Sequence, residues 1–337
     1  MSLARSTGAS RVAPLLALVL AFGAGTACST SEGSTLKGPD AAEIARRSTQ
    51  FEKALSAPDS EQQAGGAIAR WLLPDKLKEI SGLTLTDDGR LLGHGDSRGN
   101  VFEVDYRRGV LVKEFALIKD EHAVKADFEG ITVANGSVVL LSSDGQIYQF
   151  KEGADGENVQ FTLADPGLKA VCEFEGVAFD KAINSLLLAC KHVHDKSLKD
   201  SLVIFRWKLE GDSAKRLSRL TVPLALAIGD NKWDGLHPSD ITLDPFNGNY
   251  VLISSWERAL VEITPAGKVV FSRSIPGKHD QAEGIAITKD SLLIISDEAG
   301  KVEKNAAKKT ADSAAHQHRV PDDSVHRQAV ITVYRWP

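Results

Sequence analysis

Three glutamates stand at equivalent places in the chain, each directly before a glycine and an apolar run: Glu129, Glu175 and Glu283. Serines occupy the same place twice more, at Ser81 and Ser239. Carboxylates gathered at one point repel one another, which raises the pKa of at least one of them unless a cation binds. Oxygen ligands suit Ca²⁺ better than Zn²⁺. We therefore expect either a calcium site here or glutamates that accept backbone N–H groups and hold the fold together.

A second set of side chains ends the strand that follows each of these points. Its members are Asp96, Asp144, Lys191, Trp256 and Asp297. We expect Asp144 and Asp297 to join the three glutamates as calcium ligands. Histidine titrates near neutral pH and is the side chain most often used as a general base. The couple His94 and Asp96 and the pair His192 and His194 are the candidates for that role.

These positions recur because the body of the chain consists of repeats. The five equivalent points, from Ser81 to Glu283, are spaced by 48, 46, 64 and 44 residues. Each opens an alternating apolar strand, and turns such as Asn135-Gly136 and Asn247-Gly248 lead into a second strand. Such turns between apolar runs indicate β-hairpins. A third strand follows in every repeat and a fourth strand in the first four repeats.

Repeats of this length and strand content predict an all-β fold, a five-bladed β-propeller of four-stranded blades over residues 65–337. The last repeat reaches Pro337 after three strands, so an N-terminal strand at 67–73 is expected to complete it and close the ring. Six blades are the alternative, with the sixth hidden in the long interval 175–239. A polar insertion at 301–328 interrupts the last blade.

The N-terminus has the pattern of an export signal. Basic residues precede a short apolar run and small residues stand before Cys28, which predicts a signal peptide at 1–27. Lipidation of Cys28 would make residues 28–64 a tether and anchor the protein to a membrane of the cell envelope, facing the periplasm or the cell exterior. Ordinary signal-peptide cleavage is the alternative.

Cys172 and Cys190 fall at facing ends of two paired strands in the third repeat. Exported proteins meet oxidising conditions, so these two residues are candidates for a disulfide. The alternative is that the position of Cys190 only requires a small residue, since its equivalents are glycine and serines.

The net charge of the chain indicates which classes of partner it can bind. With 40 basic and 45 acidic residues the net charge is −5, which disfavours binding to nucleic acid.

Four short motifs resemble the SdiA-regulated family of exported bacterial propellers. They are Phe-Glu-Gly-Ile at 128–131, Cys-Glu-Phe-Glu-Gly-Val at 172–177, the run at 254–264 and Gln-Ala-Glu-Gly-Ile-Ala at 281–286. The resemblance implies an exported or membrane-anchored five-bladed propeller with a calcium site and no defined activity. The chain departs from the family pattern at Lys191 and Trp256, where members of the family often have glutamate. The first repeat is also similar, more weakly, to esterase-like and phytase-like propellers.

Two functions follow as competing hypotheses. The first is an envelope-anchored, calcium-binding propeller that acts as a binding or scaffold module, with an unidentified protein or small molecule at its acidic face. The second is a calcium-dependent hydrolase of the lactonase, esterase or phosphoesterase type at the same place, in which the ion polarises the substrate. Because the sequence contains no nucleophile motif, binding is favoured over catalysis.

Overall fold

The computed structural model describes residues 39–57, 66–211, 215–299 and 328–337. The predicted signal peptide, Cys28 and nearly all of the insertion 301–328 lie outside these ranges. The chain divides into a unit of residues 1–36 and a unit of residues 37–337, and every described residue belongs to the second. None of the helices in the described ranges has both the length and the apolarity that crossing a membrane requires.

The helix α1 (Ala41–Ser56) precedes the propeller and packs against it. The side chain of Asp40 accepts a backbone N–H of the first turn and caps the helix. Phe51 is fully buried in the apolar cluster that includes the first and last strands. Arg335 of the last strand donates to two carbonyls at the end of the helix. The segment 28–64, predicted as a tether, therefore contains a helix that is part of the folded domain.

The first strand, β1 (Ala69–Leu72), is followed by a 3-10 turn at Asp75–Leu77, after which blades 1 and 2 begin the ring. Blade 1 contains β2 (Ile80–Leu85), β3 (Leu91–Gly95), β4 (Asn100–Asp105), β5 (Val110–Lys119) and the short β6 (His122–Ala123). Blade 2 contains β7 (Phe128–Ala134), β8 (Ser137–Ser142), β9 (Ile147–Phe150) and β11 (Phe161–Ala164), whereas the short β10 (Asn158–Val159) belongs to the sheet of blade 1. β10 pairs in parallel with β5 and so joins the two blades at their outer edge.

Three further blades complete the fold. Blade 3 contains β12 (Cys172–Asp180), β13 (Ser185–Val193), β14 (Ser201–Lys208) and β15 (Leu217–Pro223), followed by the short helix α2 (Leu224–Ile228). Blade 4 contains β16 (Asp240–Leu243), β17 (Tyr250–Ser254), β18 (Ala259–Ile263) and β19 (Val269–Ser274). Blade 5 contains β20 (Ala282–Ile287), β21 (Leu292–Asp297) and β22 (Val330–Arg335).

The N-terminal strand closes the ring, as the repeat pattern predicts. β1 pairs antiparallel with β22, with Ala69 opposite Val333, and completes the four-stranded sheet of blade 5. The five inner strands contact one another in order, and β20 contacts β2. The alternative of six blades is wrong, because the interval 175–239 holds one blade with long strands and α2. In the described part of the chain, an apolar cluster fills each space between neighbouring blades.

Cys172 and Cys190 form a disulfide in blade 3. Cys172 begins β12 and Cys190 lies in the neighbouring β13, where the antiparallel pairing brings their Cα atoms within 5.7 Å. This distance lies in the range typical of disulfides. The bond joins the first and second strands of the blade close to Glu175 and Lys191.

Candidate functional site

The five inner strands meet at the propeller axis through one residue each, which we call the axial ring: Gly82, Gly130, Gly176, Asp240 and Gly284. The glycines allow an unusually close approach of the backbones. A Cβ atom at Gly130 would lie 2.6 Å from the backbone nitrogen of Val177, and one at Gly176 would lie 2.6 Å from the Cα atom of Asp240. At this level the backbones of neighbouring inner strands are therefore in direct contact.

Asp240 stands where the other four blades have glycine, and its carboxylate fills the space they leave. Oδ2 accepts the backbone N–H of Ile285 at 2.9 Å and that of Leu83 at 3.4 Å, and Oδ1 accepts that of Ile241 at 2.8 Å. The side chain is completely buried. Burial raises the pKa of Asp240 well above its usual value, while the three N–H bonds oppose that rise. One carboxylate thus joins blades 4, 5 and 1.

The three predicted glutamates lie one residue before the axial ring, and we call this group the acidic mouth: Glu129, Glu175 and Glu283. Burial, followed by the charges of Glu175 and Asp127, raises the pKa of Glu129 to about 9. Burial also raises the pKa of Glu175 to about 8 and raises the pKa of Glu283. Crowded carboxylates with raised pKa values are what the sequence leads us to expect here.

Lys191 supplies positive charge to the acidic mouth. Its Nζ atom donates to Oε1 of Glu175, and its charge also acts on Glu129 and Glu283. The other carboxylate oxygen of Glu175, Oε2, is buried and has no hydrogen-bond partner among the described residues. One ammonium group therefore faces three carboxylates and leaves a buried oxygen unsatisfied.

The remaining two predicted calcium ligands have partners other than the three glutamates, although the charge of Asp297 also contributes to the raised pKa of Glu283. Asp144 accepts the hydroxyl of Ser142 at 2.6 Å and lies 3.5 Å from Nζ of Lys169. Asp297 is bonded to Nδ1 of His279 at 2.7 Å. Both carboxylates therefore already have polar partners in their own neighbourhood. Across the described ranges, no three His, Cys, Asp or Glu side chains are placed together as metal ligands.

His94, a candidate general base, is a buried structural residue. Its Nε2 accepts the backbone N–H of Gly82 at 3.1 Å, and its Nδ1 lies 3.0 Å from the carbonyl of Gly95. Burial lowers its pKa to about 4, so the imidazole is neutral and both nitrogens are engaged. The neighbouring candidate, Asp96, has its pKa raised by burial and by the charge of Glu79, and its buried Oδ1 bonds to no group in the described part of the chain. The structure thus gives His94 a role in positioning the axial ring.

His192 belongs to an aromatic cluster beside the mouth that the sequence did not predict. The rings of His192, His237 and Trp256 lie 4.8–5.3 Å apart between centroids. Trp256 is 64% exposed, and Lys191 Nζ lies 5.6 Å from its ring centroid. The cluster therefore forms an open aromatic wall next to the buried charges. The last candidate base, His194, is exposed.

Glu257 fixes the orientation of His237 within this cluster. Its Oε1 lies 2.8 Å from Nδ1 of His237, and its Oε2 accepts the backbone N–H of the same residue at 3.1 Å. Burial acts to raise the pKa of Glu257, but hydrogen bonds from Ser254 and His237 outweigh it and hold the pKa below its usual value. An ionised carboxylate on Nδ1 leaves Nε2 of His237 as the nitrogen available to a ligand.

Comparisons with known proteins give a family but no activity. The model of the SdiA-regulated family matches residues 67–298. No curated protein matches the chain. Among solved structures, virginiamycin B lyase from Staphylococcus aureus is similar at 12% identity over 78% of this chain and 68% of that one, with a TM-score of 0.39. Glutaminyl cyclase from Myxococcus xanthus is similar at 12% identity over 68% and 89%, with a TM-score of 0.45.

Proposed function

The chain belongs to the SdiA-regulated family, and on that premise we propose that it is a binding propeller whose acidic mouth takes a cation, Ca²⁺ above all. The observation that supports this proposal is the buried Oε2 of Glu175, which no described residue bonds, beside Glu129 and Glu283. A buried carboxylate oxygen without a partner is unfavourable, and an oxygen-seeking cation relieves both this and the mutual repulsion of the glutamates.

The chemistry of the donors fits calcium, and two species compete with the ion. Glu129, Glu175 and Glu283 would hold the ion, because they offer only oxygen atoms. Since no three such side chains are placed together as ligands among the described residues, the glutamates would have to move closer to one another as the ion binds. Lys191 already balances part of their charge, so an incoming cation must displace its ammonium group from Glu175. Asp144 and Asp297 take no part in the proposed site, since their carboxylates are bonded elsewhere. Protons compete with the ion as well, because the raised pKa values keep glutamates protonated at neutral pH.

Export and anchoring belong to the same proposal. A lipid on Cys28 would hold the propeller at a membrane of the cell envelope. The acidic mouth and the exposed Trp256 beside it would then face an extracytoplasmic protein or small molecule. A surface that combines an exposed aromatic ring with buried charges is typical of a recognition site.

The full-length protein is first freed of metal ions with a chelator, and Ca²⁺ is then added in excess. At a free ion concentration about 100-fold above Kd, the free energy of unfolding is expected to rise by about 3 kcal/mol, which corresponds to an increase in Tm of about 5 °C. The ion stabilises the folded state because only that state gathers the glutamates. Thermal unfolding monitored by circular dichroism, with Mg²⁺ and Zn²⁺ in parallel, measures the effect.

Three variants make this measurement specific. Glu129→Gln removes a proposed ligand and is expected to abolish the Ca²⁺ response. Lys191→Met removes the competing ammonium group and is expected to enlarge it. Asp144→Asn, in the outer set of side chains, is the control and should respond like the wild type. The proposal is wrong if Ca²⁺ leaves the Tm of both the wild type and Lys191→Met unchanged.

A hydrolase at the same mouth is the second candidate function, and the pair His237–Glu257 favours it. A carboxylate on Nδ1 of a histidine that keeps Nε2 available is the arrangement of a general base. We expect such an enzyme to hydrolyse a lactone, an aryl ester or a phosphoester in the presence of Ca²⁺. His237→Gln should then lower kcat by about 100-fold, the contribution typical of a general base.

The control for this second candidate is His194→Gln, which changes an exposed histidine near the same site. Its kcat should equal that of the wild type. Screens with p-nitrophenyl acetate, p-nitrophenyl phosphate and a γ-lactone provide the measurement. Equal rates in wild type and His237→Gln, or no hydrolysis by the wild type, would exclude this use of His237 and leave the binding function standing.

A further inference from the structure

A second concave feature lies at the end of the tunnel opposite the acidic mouth. A cavity of about 820 Å³ opens there, lined by residues that follow the axial ring in β2, β7, β12, β16 and β20. The glutamates of the mouth precede the ring and the lining residues follow it. None of the three glutamates lines the cavity, so the cavity and the mouth are separate sites. The volume is within the range of pockets that hold small organic molecules.

The wall of the cavity carries an apolar collar, to which each blade contributes the residue three positions after the axial ring. Its members are Leu85, Val133, Phe179, Leu243 and Ile287. The first four are half-buried, although residues next to them in the same strands are fully buried. These side chains keep apolar surface in contact with solvent inside a concave site. A ligand that covers this surface gains the free energy of removing it from water.

Polar groups of the inner wall are hydroxyl groups rather than charges. Thr84, Thr132 and Thr242 lie among the apolar residues and can donate or accept a hydrogen bond. Asp244 also borders the cavity, but it is buried and its oxygens already accept N–H groups, among them the indole N–H of Trp336 at 3.0 Å. The described residues of the wall therefore offer no free carboxylate in its interior.

Charged side chains are confined to the outer rim. Among the described residues that line the cavity, the exposed ones with charge are Asp87, Asp88, Lys181, Lys289 and Asp290. All of them lie in the turns between the first and second strands of the blades. A charged group that entered the interior would lose its hydration without an opposite charge to replace it, which is costly. The interior therefore selects against ions.

We propose that this cavity binds a neutral, mainly apolar organic molecule that carries one or a few hydroxyl or carbonyl groups. The collar covers its hydrocarbon part, and the threonine hydroxyl groups bond its polar atoms. This site is independent of the cation proposed at the acidic mouth, and the axial ring separates the two. The chain thus has one end of its tunnel suited to charge and the other suited to neutral apolar ligands.

N-phenyl-1-naphthylamine, a neutral dye whose fluorescence rises in apolar surroundings, is the probe for this proposal. We expect saturable binding of one molecule to the full-length protein. The sulfonated dye 8-anilinonaphthalene-1-sulfonate has the same ring system with one added negative charge. It is expected to bind at least about tenfold more weakly, because the interior does not replace the hydration of the sulfonate.

Variants locate the dye. Thr242→Trp and Thr84→Trp each fill part of the cavity from a different blade, and each is expected to weaken binding at least about tenfold. Thr162→Trp, the matched control, adds the same bulk on the exposed outer strand of blade 2 and should bind like the wild type. Glu129→Gln, at the acidic mouth, should also bind normally, which separates this test from that of the cation site.

The proposal is overturned by any of three results. The wild type shows no saturable binding, the folded cavity variants bind the dye as tightly as Thr162→Trp does, or the sulfonated dye binds as tightly as the neutral one. The last comparison uses only the wild type, so it decides the question even where a tryptophan substitution prevents folding.

Discussion

Asp240→Ala is expected to lower the free energy of unfolding by about 5 kcal/mol, because it leaves three buried N–H groups without an acceptor, and each unsatisfied group costs about 1–3 kcal/mol. These groups belong to Leu83, Ile241 and Ile285 in three different blades. The close packing of the axial ring keeps water from replacing the lost carboxylate. Urea unfolding of the full-length protein, followed by tryptophan fluorescence, measures the loss.

Two further variants test this explanation. Asp240→Asn keeps the size of the side chain but turns one acceptor oxygen into a donor, so we expect an intermediate loss of about 2–3 kcal/mol. Asp230→Ala removes an exposed aspartate and is the control, with an expected change within about 0.5 kcal/mol. An Asp240→Ala protein as stable as Asp230→Ala would show that the carboxylate does not hold the blades together.

The stability of the metal-free protein is expected to fall as the pH rises from about 5 to about 9, by roughly 1.4 kcal/mol per pH unit for each glutamate that stays protonated in the folded state. The pKa of Glu129 rises from the ordinary glutamate value of 4.5 to about 9 when the protein folds. Between these values the folded state holds a proton that the unfolded state has released. The stabilisation is complete below the lower pKa and is lost as the pH passes the higher one.

Glu129→Gln is the variant that identifies the source of this pH dependence. Glutamine is neutral at every pH and keeps the shape of the protonated glutamate, so the slope of stability against pH should decrease by about one proton, or roughly 1.4 kcal/mol per pH unit. Above neutral pH the variant should be more stable than the wild type in chelator. Glu210→Gln changes an exposed glutamate and should keep the wild-type slope. Identical slopes in all three proteins would assign the pH dependence to other groups.

Glu129 is a better subject for this test than Glu175, because their partners differ. Glu175 is bonded to Lys191. Replacing Glu175 would also leave the Lys191 ammonium group without this partner, so two effects on the charge of the site would be mixed. Glu129 has its pKa raised by burial and by neighbouring carboxylates. If Ca²⁺ occupies the mouth, it should flatten the pH dependence of the wild type and leave that of Glu129→Gln unchanged, because the ion and the proton compete for the same oxygens.

The number of blades, the closing strand and the position of the three glutamates could all be predicted from the sequence. All of these depend on local patterns: alternation of apolar residues, turn residues between strands, and the spacing of equivalent points along the chain. Because the first strand of every blade runs in the same direction along one axis, residues at the start of these strands lie at the same end of the tunnel. Crowding of Glu129, Glu175 and Glu283 at the acidic mouth could therefore be predicted, and so could a raised pKa among them.

The partner of each polar side chain could not be predicted, because it depends on how distant parts of the chain pack together. Asp240 looks like an exception to a glycine motif, yet it accepts N–H groups 45 and 157 positions away in the chain. His94 is a candidate base in the sequence and a buried acceptor in the fold. Lys191 departs from the family pattern and proves to be the counter-ion of Glu175. These partners come from different strands or blades, and short-range periodicity carries no information about contacts at such separation.

The cavity behind the axial ring belongs to the same class of feature. Leu85, Val133, Phe179, Leu243 and Ile287 are ordinary strand residues in the sequence, typical of a buried core. Closing five strands around one axis leaves a space that these residues cannot fill, because the ring geometry fixes the distance between facing strands. The sequence sets the chemistry of that wall. The volume it encloses follows from the number of blades and from the glycines that draw the strands together at one level.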